Sequence, residues 1–170
     1  MRNIFVDGYN VINSWPKLNN IKNYSLETAR QSLIETLSNY SVYKGYKVFI
    51  VFDAHMVSGS LEKKEKINKN VVVVFTKENE TADSFIERTV NNIGRKNEVF
   101  VVTSDSLEQQ VTFQRGAVRM SSIEFYHEVN NVENHIKSKI EKKYHEQRNT
   151  LEDSIKEDVL EILEKIRKSD

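Results

Sequence analysis

Apolar residues along this 170-residue chain fall into two kinds of pattern that alternate. Short unbroken runs at 4–6, 47–52, 71–75 and 98–103 read as strands, being apolar almost throughout and rich in Val, Ile and Phe. Between them the spacing changes to three and four. Leu26, Ala29, Leu33, Leu37 and Tyr40 form one face behind the N-cap candidate Ser25, and Ala82, Ile86, Val90 and Ile93 form another ending at Gly94. A short helix is expected over 106–113, closed by Gly116. Strands with no polar alternation are strands covered on both faces, so the pattern predicts an α/β fold with a central, mostly parallel sheet.

Beyond residue 120 the chain reads as helical. Ser121 and Glu124 make an S-x-x-E capping box ahead of Phe125, Val129, Val132, Ile136 and Ile140. A polar break at 147–150 separates a final amphipathic stripe, Leu151, Ile155, Val159, Ile162 and Ile166. The expected organisation is one domain over residues 1–148 and a C-terminal helix over 149–170 packed back on it.

Composition narrows the chemistry. The chain has no cysteine, which excludes disulfides, thiolate metal sites and cysteine nucleophiles, and suits a reducing cytoplasm. The longest apolar runs are of strand length and cannot span a bilayer, and Asp7 interrupts the first of them before a leader could form, so no membrane association is expected. There is no P-loop, no dinucleotide fingerprint, no H-E-x-x-H and no G-x-S-x-G.

What remains is the placement of acids. Asp7 follows the first strand, Asp53 the second and Asp105 the fourth, while the third feeds a helix carrying Asp83 and Glu87 one turn apart, with Glu80 just before it. In an open parallel sheet the carboxyl ends of the strands share one edge, where ligands bind. Each acid alone reads as a turn former or helix cap. Together, four carboxylates at one edge repel unless a cation neutralises them, and oxygen donors without His or Cys suit one or two Mg²⁺ or Mn²⁺ ions. His55, just after Asp53, reads as structural or solvated.

The motifs DGYNVI (7–12), VFDAH (51–55), FTKENETAD (75–83), TSD (103–105) and RGAVRMS (115–121) occur in the order that they take in YacP-like NYN-domain proteins, which the chain resembles over residues 1–140. The resemblance implies a PIN-like three-layer α/β/α sandwich and a metal-dependent endoribonuclease acting on mRNA in association with the translating ribosome. It implies Asp7, Asn10, Asp83 and Asp105 as the catalytic group, with Asp7, Asp83 and Asp105 on the metal and Asp53 joining them as in FLAP-type nucleases. The residues themselves add Ser104, Glu80 and Glu87 as supporting candidates, Glu87 reading equally as a solvated partner of Arg88 or Arg95. The S-x-D-x-D pattern common in that superfamily is absent, since Ser106 and Leu107 follow Asp105.

Nucleic-acid contact needs cations and stacking surfaces. Candidates are Lys63, Lys64, Lys66 and Lys69, then Arg115 and Arg119, with Tyr9 and Trp15 as aromatic platforms. The alternative for the lysines is a solvated face, and for the whole chain a docking module on RNA or the ribosome without turnover. The formal net charge of zero combines an acidic C-terminal stretch, residues 151–170 at −3, with a body at +3. A zero sum therefore does not exclude RNA.

Overall fold

The computed structural model describes residues 1–54, 59–93, 97–103 and 117–168. In chain order these form β1 (Asn3–Asp7), α1 (Gly8–Ser14), α2 (Pro16–Lys22), α3 (Leu26–Lys44), β2 (Lys47–Phe52), β3 (Lys63–Lys66), β4 (Val71–Phe75), α4 (Ala82–Ile93), β5 (Val99–Thr103), β6 (Ala117–Ser121) and α5 (Ser122–Lys168). The described strands make one sheet in the order β3-β4-β2-β1-β5-β6, parallel except for β3. The α/β class and the mostly parallel sheet are as expected.

Topology follows from burial. Side chains of a strand alternate between faces, so apolar runs need cover on both. Phe5, Val51, Val74, Val99 and Val101 pack against Ala82, Phe85, Ile86 and Val90 of α4. The opposite faces of β2 and β4 meet α3, whose Ala29, Leu33 and Leu37 are fully buried. The chain leaves β1 toward β2 and β4, then returns through α4 to β5 on the other side of β1. That reversal opens a crevice at the carboxyl ends of β1 and β5.

Helix ends obey the local chemistry. The Ser25 hydroxyl accepts from the Thr28 amide at 3.2 Å, and α3 stops at Gly45, whose φ of 70° is left-handed. The Ser121–Glu124 capping box forms in both directions, at 2.8 and 3.1 Å.

Several elements differ from the sequence reading. Pro16 has no amide hydrogen to continue α1, so α1 ends and α2 begins at Trp15. The lysine-rich connection contains β3, an edge strand held to β4 by main-chain bonds with Lys63 opposite Phe75; its polar side chains carry no core pattern to read. The run after Gly116 is a strand, β6, paired in parallel with β5. The helix expected over 106–113 and Gly94 lie outside the described residues.

The chain divides into two compact units, Met1–Val132 and Glu133–Asp170. In the first unit α5 buries Phe125, Val129 and Val132. In the second it continues without interruption through 147–150: the polar run there contains no Gly or Pro, and Thr150 returns its hydroxyl to the Glu146 carbonyl at 2.9 Å, so the expected break is absent. Leu151, Ile155, Val159, Ile162 and Ile166 are exposed.

Where β1 passes into α1, the backbone at Gly8 lies directly against a core side chain. A Cβ there would stand 2.3 Å from Cε1 of Phe52, a fully buried ring. Gly8→Ala is expected to destabilise the chain by an amount at or above the upper end of the ~1–3 kcal/mol typical of overpacking. Urea unfolding followed by circular dichroism measures it.

Candidate active site at the carboxyl edge of the sheet

Asp7 is the last residue of β1 and the N-cap of α1, its carboxylate accepting from the Asn10 amide at 3.2 Å. Burial raises its pKa to about 6, and the charges of Asp83 and Asp53 push the same way, against the amides of Asn10 and Tyr9. Asp83, in the first turn of α4, is raised by burial and then by Asp53. Acids from three separate segments therefore share one electrostatic field. Asp7 fills both roles open to it: it caps a helix and stands in the cluster. Asn10 is half-buried in the first turn of α1.

The ends of β2 and β4 are joined by a residue that sequence reading passed over. Thr76 is fully buried; its amide donates to the Phe52 carbonyl at 3.0 Å, and its hydroxyl accepts from the Ala54 amide at 3.1 Å while donating to the Glu80 carbonyl at 2.7 Å. One side chain thus fixes the backbone after Asp53 to the turn that launches α4. That turn includes Asn79 at a φ of 63°, a left-handed conformation that Asn tolerates better than most residues. The only sequence signal was the position of Thr76 directly after an apolar strand.

The supporting acids divide. Glu80 Oε1 accepts from Arg88 Nε and Nη2 at 3.1 and 3.0 Å, while its Oε2 is buried without a hydrogen-bond partner. Arg88 also reaches Glu62 at 3.1 Å. Glu87 is half-buried one turn beyond Asp83. Ser104, Asp105 and His55 lie outside the described residues. Among the described residues no three His, Asp or Glu side chains gather closely enough to hold an ion unaided. Asp7, Asp53 and Asp83 still offer only hard oxygen donors, which fits Mg²⁺ or Mn²⁺: Mg²⁺ keeps several waters and takes one or two carboxylates.

The proposed RNA contacts also divide. Tyr9 is placed at the edge: its ring lies 5.1 Å from that of Phe52 and its hydroxyl accepts from Arg30 Nη1 at 2.9 Å. Trp15 must be withdrawn as a stacking platform. It is 4% exposed, packs on Phe125 and Tyr126, and donates from Nε1 to the Ser122 carbonyl at 3.0 Å, so it locks α1 to the start of α5. Lys63, Lys64 and Lys66 lie exposed along β3 and Lys69 in the following turn, with Lys64 paired to Glu62 and Lys63 to Glu65. Arg119 is half-buried on β6, and Arg115 lies outside the described residues. A cavity of about 830 Å³, absent from the sequence reading, opens beside Asp53 between α1–α3 and β3.

The mostly parallel α/β sheet, with acids at the carboxyl ends of its strands, has the PIN-like fold of NYN-domain proteins. The chain belongs to the YacP-like NYN domain family, whose family model matches residues 4–168. It is 42% identical over 170 residues to the uncharacterized protein YacP of Bacillus subtilis (strain 168), covering 98% of this chain and 97% of that one. The crystal structure of Rae1 (YacP) from Bacillus subtilis superposes with a TM-score of 0.73 at 39% identity, covering 99% of this chain and 95% of that chain. A crystal structure of a point mutant of that same Bacillus subtilis protein gives 0.70 at 40% identity, covering 84% and 83%. Membership of this family implies a nuclease-type function.

Two outcomes are expected from the geometry. Asp7 has a folded pKa above its unfolded value, so the folded chain binds the extra proton and loses stability as pH rises from about 4 to 6, the penalty staying constant above. In metal-free buffer at pH 7, Asp7→Asn, which can still cap α1, should therefore stabilise the fold by about 1–3 kcal/mol and flatten that pH dependence. Denaturation series at pH 4 to 8 read both. At Thr76, replacement by Val leaves the Ala54 amide unpaired and should cost about 1–3 kcal/mol, whereas Thr76→Ser should recover most of it; the same denaturation assay decides.

Proposed function

We propose that this protein is a divalent-metal-dependent endoribonuclease of the cytoplasm that cleaves mRNA in association with the translating ribosome. The observation that carries the nuclease reading is the shared field of Asp7, Asp53 and Asp83 at the carboxyl edge of the sheet. The cleavage of RNA, the metal and the ribosome are the further steps implied by the resemblance.

The chemistry is hydrolysis of a phosphodiester, an anion that resists attack by hydroxide. Asp7, Asp53 and Asp83, with Asp105, would hold one or two Mg²⁺ or Mn²⁺ ions, which supply charge neutralisation and lower the pKa of water. The protein's own contribution is placement. The Asn10 amide bond fixes the rotamer of the Asp7 carboxylate. Thr76 sets the distance between the β2 end and the start of α4. The Asn10 carboxamide, a neutral group, is suited to orient a phosphate oxygen or the attacking water without adding repulsion. Partial burial of Asp7 and Asp83 lowers the local dielectric and strengthens their pull on a cation.

A second reading is an RNA- or ribosome-docking module without turnover, for which the exposed Lys63, Lys64 and Lys66 of β3 would supply the contacts. One assay separates the two. With translating ribosomes and Mg²⁺ or Mn²⁺, the native chain should generate new RNA 5′ ends, and Asp7→Asn should reduce them by at least about a hundredfold, since loss of a mere supporting partner already costs 10–100-fold. Equal cleavage by folded Asp7→Asn sinks the assignment of Asp7; no cleavage by the native chain favours the docking module.

A further inference from the structure

The cavity beside Asp53 is unlike the acid edge it adjoins. At about 830 Å³ it lies within the range of small-ligand sites. Its walls include Tyr9, Phe75, Leu26 and Leu61, and its lining carries three cations, Lys22, Arg30 (also paired with Glu27) and Lys63 (also paired with Glu65), with Asp53 the one acid among the lining residues. Flat π surfaces beside positive charge are what an unstacked nucleobase and its phosphates require. An acidic peptide would use the cations but not the aromatic walls.

We propose that this cavity holds one unstacked base of single-stranded RNA next to the phosphate being cleaved. The inference deepens the nuclease reading, on which it rests for the position of that phosphate, but the binding itself does not depend on turnover.

The polar groups also suggest which base. Lys22 Nζ donates to Asn13 Oδ1 at 2.6 Å, which leaves the Asn13 amide hydrogens as donors. The Tyr9 hydroxyl accepts from Arg30, so its own proton is free to donate. Ser60 also lines the cavity, and its hydroxyl oxygen is buried without a hydrogen-bond partner. A lining rich in donors favours bases that present carbonyl oxygens, guanine, uracil and cytosine, over adenine, which has none. Tyr9 is held for the task between Phe52 and Arg30, and the Arg30 guanidinium lies 6.0 Å from the Phe75 ring centre. The walls are thus ordered before a base arrives, which limits the entropy lost on binding.

The test uses the full chain in EDTA, so that binding is read without cleavage. Fluorescein-labelled hexaribonucleotides of mixed sequence are compared with copies carrying one abasic ribose at each position in turn. In the native chain, one position should stand out, its abasic copy binding about tenfold more weakly, the scale of a single base–aromatic stack. G or U there should bind more tightly than A. Leu26 and Leu61 are 40% and 85% exposed, so Leu26→Ala/Leu61→Ala should fold normally. Together with Tyr9→Leu, it should abolish the difference between intact and abasic RNA at that position. The inference is overturned if no hexamer binds, if all abasic positions cost the same, if the variants keep the native pattern, or if a glutamate decapeptide competes as well as RNA. Position-dependent base binding without RNA cleavage, on ribosomes or free, leaves the base site standing and removes the nuclease reading.

Discussion

The close approach of the Phe52 ring to the backbone at Gly8 organises the carboxyl edge of this domain. Because Gly8 has no Cβ, the turn from β1 into α1 can lie directly on a side chain from the end of β2. The Phe52 ring in turn contacts Tyr9 at 5.1 Å and Phe75 at 5.7 Å, so one aromatic column spans the ends of β1, β2 and β4. Asp7 precedes the glycine and Asp53 follows the phenylalanine. The contact that closes the core therefore also determines how near two like charges stand, and side-chain packing, unlike a flexible loop, gives them little room to separate.

Such a site is costly to hold together. Asp7 is pushed up by desolvation and by its neighbours, which means that the fold works against its own electrostatics when all three acids are ionised. The opposing forces are local and identifiable: the Asn10 amide on Asp7, the paired bonds of Thr76, and an apolar sheet covered on both faces. Under the proposed metal dependence, a bound cation would relieve this repulsion and so be coupled to folding by mass action. The same residues that set the chemistry thus set how stability responds to ligand.

Legibility in the sequence followed the physical origin of each feature. Parallel strands announced themselves because burial on both faces leaves no polar position, and the caps at Ser25 and at Ser121–Glu124 were readable because they depend on residues within one turn. The short helices α1 and α2 and the strands β3 and β6 were not read. The edge strand β3 has only polar side chains, and its existence depends on main-chain bonds to β4. Trp15 shows the reverse error: an aromatic next to a candidate motif suggested stacking, whereas its indole closes a long-range bond to Ser122. Gly8 and Thr76 lay inside motifs already singled out, yet their roles arise from contacts with Phe52 and Glu80 that spacing alone does not reveal.

The proposed RNA substrate raises the remaining question of how a neutral chain would engage a polyanion. The lysines of β3 answer only part of it, since Lys63 and Lys64 already pair with Glu65 and Glu62, and exposed pairs of this kind contribute little. Edge-strand lysines also protect a sheet from pairing with other chains, a structural duty that needs no RNA. A weakly basic surface gives modest long-range attraction, so selectivity must come from short-range contacts. An apolar, aromatic-walled cavity beside the acids meets that need, because stacking and hydrogen bonding act only after contact and survive physiological salt better than phosphate pairing does. The proposed base seat, adding stacking to the charges of its lining and of β3, would reconcile an overall charge of zero with an RNA substrate that carries a negative charge at every nucleotide.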